Sequence, residues 1–324
     1  MLPPVVFPQT MSSLSSSSVD DTVSRHKLHV IETDLEPDDI IAFWGIYKNF
    51  PPVEELVVFV GESHEPQKKL THAIDVFRAL QTAFPNRARR VIVVAGLASN
   101  KEFPYIRANG VELDVLVAKD FVLEDYQGVY QRGPELAFMM KPPREAMLVR
   151  VYCRNTEVFC YGSFNWRTLK CGASDLIELT SRFKRFNYVD SFSAIGSRNS
   201  AHILVNTHGE FRALVARAVL AWNQHIIRDC EEDLKTETDP EGRARSQKII
   251  DNISKNIETQ FVMADVCLSF LPKPVHRVAL QKFESYPTWV DSDDSNVFVH
   301  TYSEEDKNFR RVALLQALGD AGFV

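Results

Sequence analysis

The feature that most constrains this chain is a crowd of carboxylates at the point where a strand is expected to become a helix. The apolar residues Leu28, Val30 and Ile31 predict a buried strand. Residues 39–47 carry apolar side chains at helical spacing, and Pro37 suits the first helical position. Five acidic residues lie across this junction: Glu32, Asp34, Glu36, Asp38 and Asp39. The sequence therefore predicts an α/β unit with an acidic cluster at the carboxyl end of its first strand.

This acidic cluster has two interpretations. Asp38 and Asp39 suit the positive end of a helix dipole, so a solvated acidic helix start is one of them. Asp34 instead falls where open α/β sheets bind ligands, and three carboxylates converging within one turn would need a cation to stay ionised. Hard oxygen ligands favour Ca²⁺ or Mg²⁺; calcium tolerates bidentate carboxylates in a shell of about six to eight oxygens, whereas magnesium demands a smaller octahedron. The cluster is thus a candidate site for one of these cations.

The composition is that of an ordinary soluble globular protein. The chain has 324 residues, of which 45% are hydrophobic and 25% are charged. A formal net charge of −6 and a pI near 5.9 argue against nucleic acid or an anionic membrane as the main partner. No apolar run approaches the roughly 20 residues of a membrane helix. Five cysteines without metal-ligand spacing, and no secretory leader, indicate a reducing compartment, so we expect a cytoplasmic protein.

Apolar runs and amphipathic helices alternate along most of the chain. Residues 1–25 are rich in serine and proline and lack the apolar content needed to fold, so we expect a disordered extension. After it, apolar runs such as 56–60 and 91–96 are separated by helical patterns such as 67–82. This alternation predicts a single α/β domain over residues 26–324, built on a doubly wound, mostly parallel sheet.

Two segments interrupt the alternation, and we expect both to be loops or lids. The first, 121–143, contains Tyr126, Tyr130 and two proline turns, and the second, 230–247, is densely charged. Long loops at the carboxyl ends of strands commonly carry specificity, so the two tyrosines are candidates for stacking on a substrate ring. The alternative is that they cover the core.

The stretch 33–39, Thr-Asp-Leu-Glu-Pro-Asp-Asp, resembles the amino-terminal signature of the nucleoside hydrolases, the inosine-uridine-preferring nucleoside N-ribohydrolases. That family has an aspartate-rich D-x-D-P-G-x-D-D segment after its first strand. The resemblance implies that Asp34 and Asp39 are calcium ligands, with Asp34 also the general base, and that Asp38 holds sugar hydroxyls. This chain departs from the signature at Glu32, which replaces the first aspartate, and in its rebuilt turn.

The resemblance also gives roles to residues outside this stretch. Asp265 would bring a further aspartate to the metal, and a backbone carbonyl near Tyr161 would complete its shell. Glu62 stands where typical members have an asparagine that reaches the ribose, and Asn199 falls near a sugar-contacting loop; a local turn asparagine is the alternative there. His64, near the end of the second strand, is placed to protonate the leaving base, with a surface-loop histidine as the alternative.

The function implied by the resemblance is a Ca²⁺-dependent hydrolase that cleaves the N-glycosidic bond of a ribonucleoside or a related ribosylated compound. The expected partner is a small nucleoside-like molecule, with no nucleic acid and no membrane, and the resemblance implies homo-oligomers. The alternative is a catalytically impaired relative that binds a ribosylated ligand or a protein partner. A phosphoryl-transfer enzyme of the haloacid dehalogenase type is disfavoured, because residues 32–34, Glu-Thr-Asp, break its D-x-D pattern.

Overall fold

The fold is an α/β arrangement of one sheet and its covering helices, seen in a computed structural model that describes residues 27–61, 66–95, 111–113, 116–119, 123–148, 153–161, 172–189, 209–258, 276–283 and 287–300. The strands are β1 (Leu28–Thr33), β2 (Val53–Val60), β3 (Ala88–Ala95), β4 (Val111–Leu113), β5 (Leu116–Lys119), β6 (Leu136–Met139), β7 (Cys153–Tyr161), β8 (Phe183–Val189), β9 (His276–Phe283), β10 (Pro287–Asp291) and β11 (Val297–His300). The helices are α1 (Pro37–Asn49), α2 (Pro66–Ala83), α3 (Leu123–Gln131), α4 (Arg144–Leu148), α5 (Ala173–Ser181), α6 (Gly209–Thr236) and α7 (Pro240–Ser254).

The described strands form one mixed sheet that is parallel through its middle. Its order is β10-β9-β11-β8-β7-β6-β1-β2-β3-β5-β4. β1 lies between β2 and β6 and is parallel to both. Among the described strands, the antiparallel pairs are β4 with β5 and β9 with its two neighbours. The predicted class, a doubly wound and mostly parallel α/β sheet, is confirmed.

Strand β1 is buried from both sides, because helices cover both faces of the sheet. All six of its residues are buried. Ile31 belongs to a core shared with α1, α2 and α6, and Val30 belongs to a second core shared with α3 and α5. Successive side chains of a strand point to opposite faces. Glu32 therefore lies on the face of α3, and Thr33 lies on the face of α1.

Both segments predicted to be loops contain regular structure, so that prediction was wrong. Segment 121–143 contains α3 and β6, and Tyr126 and Tyr130 lie one helical turn apart on the buried side of α3. Segment 230–247 contains the end of α6 and the start of α7, and the Asp239 carboxylate caps α7. Its dense charge belongs to solvated helices, because a helix on the surface needs only a narrow apolar stripe.

Two further predictions concern the amino-terminal extension and membrane-spanning helices. The expected extension over residues 1–25 lies outside the described residues. Within the segments that the structure describes, no helix is both long and apolar enough to cross a membrane.

Candidate functional site

The carboxyl end of β1 turns sharply into α1, and the turn is held by its own side chains. The Thr33 hydroxyl donates a short hydrogen bond to Asp39 Oδ2 and accepts one from the Leu35 amide at 2.8 Å. The Leu35 amide also donates to Asp39 Oδ2 at 3.1 Å. Leu35 has a φ of 58°, a strained conformation for a residue with a side chain. The sequence thus closes this turn with Thr33 and Asp39 instead of a glycine.

Three of the predicted site residues come together at this turn. Asp38 and Asp39 are buried in the first turn of α1, directly after Pro37 at its start. The partial positive charge of the helix amino terminus stabilises carboxylates at these positions. Asp34 is half-buried in the connection from β1 to α1. The structure therefore places the three aspartates at the carboxyl end of a central parallel strand, where open α/β sheets bind ligands.

The strands on either side of β1 end beside the same turn. The Gly61 amide, just after β2, donates to the Thr33 carbonyl at 2.8 Å, and the Met140 amide, just after β6, donates to the Glu32 carbonyl at 2.8 Å. Tyr161 ends β7, which is separated from β1 by β6. Its assignment as a carbonyl ligand remains a prediction.

Four of the predicted site residues lie outside the described part of the chain: Glu62, His64, Asn199 and Asp265. Among the described residues, no group of three histidine, cysteine, aspartate or glutamate side chains is arranged to hold a metal ion. The described aspartates do supply the hard oxygen donors that calcium prefers, although one Asp39 oxygen already accepts two hydrogen bonds in the turn. They fit part of a calcium shell, which would need donors from elsewhere to be complete.

Beneath the turn, on the face of α3, lies a second group of polar and charged residues whose association was not predicted from the sequence. We call it the Glu32 cluster; it comprises Glu32, Tyr126, Tyr130, Lys141 and Glu145. Glu32 Oε1 accepts hydrogen bonds from the Tyr126 hydroxyl at 2.6 Å and from the Tyr130 hydroxyl. Lys141 Nζ forms an ion pair with Glu145, and both side chains are almost fully buried. The two tyrosines thus bind a carboxylate within the core, where they cannot stack on a substrate.

The electrostatics of the Glu32 cluster follow from its burial. Burial raises the pKa of Glu32, and the nearby Lys141 ammonium and the two tyrosine hydroxyls act in the opposite direction. Burial and the negative charge of Glu32 raise the pKa of Tyr126 and Tyr130 well above the ordinary value. Both tyrosines therefore keep their protons and remain donors to Glu32. The sequence held one local signal for this cluster, the i, i+4 spacing of Tyr126 and Tyr130 and of Lys141 and Glu145.

Comparison with known proteins identifies the fold. No protein-family profile and no curated protein matches the sequence. Among solved structures, the plant nucleoside hydrolase PpNRh1 aligns with 92% of this chain and 99% of its own, at 10% identity and a TM-score of 0.52. The purine-preferring ribonucleoside hydrolase from Gardnerella vaginalis aligns over 92% and 100%, at 9% identity and a TM-score of 0.50. The chain has the nucleoside hydrolase fold.

A third solved structure similar to this chain is that of an effector protein. The type III effector protein XopQ, solved as a complex with adenosine diphosphate ribose, aligns with 92% of this chain and 93% of its own. The identity is 12% and the TM-score is 0.52. The predicted resemblance to nucleoside hydrolases is therefore confirmed at the level of the fold. At this identity the functional residues have to be argued from the site itself.

Proposed function

We propose that this protein is a Ca²⁺-dependent hydrolase that cleaves the N-glycosidic bond of a ribonucleoside or a related ribosylated compound. The observation that carries the proposal is the burial of Asp38 and Asp39 beside Asp34 at the carboxyl end of β1. Buried carboxylates are costly unless a positive charge or hydrogen bonds compensate them. In a nucleoside hydrolase fold, this is the position where a metal ion and a sugar would meet.

The metal would be held by oxygen donors. Asp34 and Asp39 are the proposed ligands among the described side chains, with the Tyr161 carbonyl and Asp265 completing the shell. Calcium suits this set better than magnesium, because it accepts irregular shells of six to eight oxygens. When bound, calcium would lower the pKa of a coordinated water and hold sugar hydroxyls.

The remaining roles follow from the chemistry of glycosidic bond cleavage. Asp34 would accept a proton from the attacking water, because it lies at the edge of the turn and is only half-buried. Asp38 would accept hydrogen bonds from sugar hydroxyls, and its negative charge would stabilise the positive charge that develops on the sugar. Glu62 and Asn199 are proposed sugar contacts, and His64 is the proposed donor of a proton to the leaving base.

A second candidate function is binding without turnover. The XopQ structure, solved with adenosine diphosphate ribose, is similar in fold to this chain at least as closely as the hydrolases are. Glu32 also stands in place of the first aspartate of the signature, and its longer side chain accepts hydrogen bonds from two tyrosines. A catalytically impaired protein that binds a ribosylated ligand or a protein partner is therefore the alternative.

Release of reducing sugar distinguishes these functions. The substrates are purine and pyrimidine nucleosides, each with calcium and with a chelator, and the binding of adenosine diphosphate ribose is measured separately by calorimetry. We expect chelator-sensitive ribose release by the wild type and its loss in Asp34→Asn. Asp75→Asn is the matched control, because Asp75 lies on α2 in a surface ion pair with Arg217. Binding of adenosine diphosphate ribose without any sugar release would favour the binding protein.

Assembly and location complete the proposal. We propose a cytoplasmic homo-oligomer whose partner is a small nucleoside-like molecule. Light scattering after size-exclusion chromatography tests the assembly, and a monomer at micromolar concentration would contradict it.

A further inference from the structure

Lys141 has an environment that lysine rarely occupies. Its side chain is fully buried, just beyond the carboxyl end of β6. Lysine is almost never fully buried unless its charge is paired, and its ammonium pairs here with Glu145, which is 1% exposed. The protein therefore buries a lysine–glutamate ion pair at the end of the sheet where its candidate site lies.

The register of the sheet places Lys141 beside the aspartate turn. Met139 is the partner of Glu32 across the β1–β6 pair, and the Met140 amide donates to the Glu32 carbonyl. Lys141 and Asp34 follow two residues later, just past the ends of β6 and β1. Lys141 therefore follows β6, the strand that pairs with the carboxyl half of β1, where Glu32 lies.

Glu32 is a second carboxylate on which this ammonium acts. Its Oε1 accepts two tyrosine hydroxyls, and its Oε2 is buried and receives no hydrogen bond from any described residue. A buried carboxylate oxygen without a donor is costly unless a positive charge lies nearby. Lys141 is a positive charge that acts on Glu32, whereas Glu145 adds a second negative charge.

We propose that Lys141 is the counter-charge of the Glu32 cluster: its ammonium balances the buried carboxylates of Glu32 and Glu145, so that this cluster needs no metal ion to stay folded. The role of Lys141 is structural, because its side chain is buried in the core and pairs with Glu145. The proposal concerns the charge below the turn, so it does not depend on calcium binding above it or on hydrolase activity.

Removal of the ammonium should create a site for a small organic cation. Lys141→Ala would leave two buried carboxylates around the space of the missing side chain. The n-propylammonium ion has the three carbons and one nitrogen that this substitution removes, so it should bind there and stabilise the folded state. Tetramethylammonium has the same charge but is bulkier around its nitrogen and cannot donate hydrogen bonds.

The test is thermal unfolding in chelator, with propylammonium or tetramethylammonium chloride at equal ionic strength. We expect propylammonium to raise the melting temperature of Lys141→Ala by roughly 2–4 °C or more, the shift that corresponds to about 1 kcal/mol in a domain of this size class. Tetramethylammonium should not raise it. The wild type and Lys184→Ala, which removes an exposed lysine of β8, should show no selective response. An equal response to both cations in Lys141→Ala would overturn the proposal.

A second pair of variants keeps the proposal testable if Lys141→Ala does not fold. Lys141→Met replaces the ammonium by an apolar group of similar length, and Glu32→Gln removes a carboxylate charge. If Lys141 balances Glu32, the double variant Lys141→Met/Glu32→Gln should be more stable than Lys141→Met alone, or should fold where the single variant does not. A double variant that is less stable than Lys141→Met would show that Glu32 does not need the ammonium. These unfolding measurements do not depend on ribose release.

Discussion

We call the side of the sheet where the central parallel strands begin the amino edge, and the side where they end the carboxyl edge. Both are rich in charged residues, but these residues differ in their exposure to solvent. At the amino edge, an open groove of about 1270 Å³ is lined by basic and acidic residues: Arg89, Arg90, Arg132, Arg154, Lys184, Glu54, Glu55, Glu135 and Glu157. Its ion pairs, such as Arg89 with Glu54, face solvent. At the carboxyl edge, Asp38, Asp39 and the Glu32 cluster are buried.

The difference in burial distinguishes surface charges, which keep the protein soluble, from buried charges beside the candidate site. Ion pairs in water contribute little to stability, so the amino edge tolerates many of them without consequence. Buried carboxylates are costly to desolvate, and a fold keeps them only where hydrogen bonds, helix dipoles or cations offset that cost. The volume of the amino-edge groove therefore does not make it the functional site. The candidate site lies at the carboxyl edge, because the charged side chains there are buried.

Glu145→Gln at the carboxyl edge should cost much more stability than a matched substitution at the amino edge, and we expect this to be the largest of the effects. Loss of one member of a buried ion pair should lower the free energy of unfolding by about 3–5 kcal/mol, because the Lys141 ammonium is left with weaker compensation. Urea unfolding measures it. The matched control is Glu54→Gln at the amino edge, expected to cost less than about 1 kcal/mol. Similar small costs for both substitutions would abolish the distinction between the edges.

His29, near the amino end of β1, is an exception, because its side chain is titratable and buried at the amino edge. Burial, with a smaller effect from Lys27, lowers the pKa of His29 from 6.5 to about 4. The folded state therefore binds a proton less readily than the unfolded state, and stability should fall as the pH drops from about 6.5 towards 4. The full loss is about 3 kcal/mol, from the difference between the two pKa values. The nearby Glu135 carboxylate, 3.9 Å away and half-exposed, is too well solvated to reverse this effect.

Urea unfolding between pH 7 and pH 4 measures the contribution of His29 by comparison of the wild type with His29→Gln. The wild type should lose more stability over this range, because only its His29 becomes protonated on unfolding. Parallel pH curves for the two proteins would mean that His29 titrates normally in the folded state.

The aspartate turn could be predicted from sequence because its signals are local. A strand of apolar residues, a proline and an acidic run all lie within residues 28–39, and each has a direct physical meaning. The Glu32 cluster could not be predicted in this way. Tyr126 lies 94 positions from Glu32 in the chain, and only the pairing of β1 with β6 brings Lys141 to the same edge. A lysine between two methionines and two prolines gives no sign that its charge will be buried.

The wrong prediction of loops has a related cause. Dense charge around Asp239 and Pro240 favours a loop, but an aspartate before a proline is a strong helix-start signal, and it is this signal that the structure follows. In segment 121–143 the prolines favour turns, whereas the spacing of Tyr126 and Tyr130 favours the helix that forms. Charge and proline density indicate exposure and turns, but they do not exclude short helices between the turns.

Thr33→Val tests whether the aspartate turn contributes to calcium binding as well as to stability. The substitution removes a buried hydroxyl that donates to Asp39 and accepts from Leu35, so it should cost about 1–3 kcal/mol in urea unfolding. Thr156→Val is the matched control, because the buried Thr156 hydroxyl donates to the Pro134 carbonyl at 2.6 Å. We expect similar costs for both, but only Thr33→Val should reduce the rise in melting temperature with calcium. An equal calcium response in the two variants would separate the turn from metal binding.

The smallest expected effect belongs to the exposed pair Arg89–Glu54, with 3.2 Å between Arg89 Nη1 and Glu54 Oε2. A double-mutant cycle with alanine at both positions should give a coupling energy of about 0.2–1 kcal/mol, because both side chains remain largely solvated. The coupling should shrink further at 1 M salt, where the Debye length is roughly 3 Å. A coupling above about 2 kcal/mol that persists in salt would mean that the amino-edge groove excludes water. Its paired charges would then resemble those of the Glu32 cluster, and the groove would have to be considered as a second binding site.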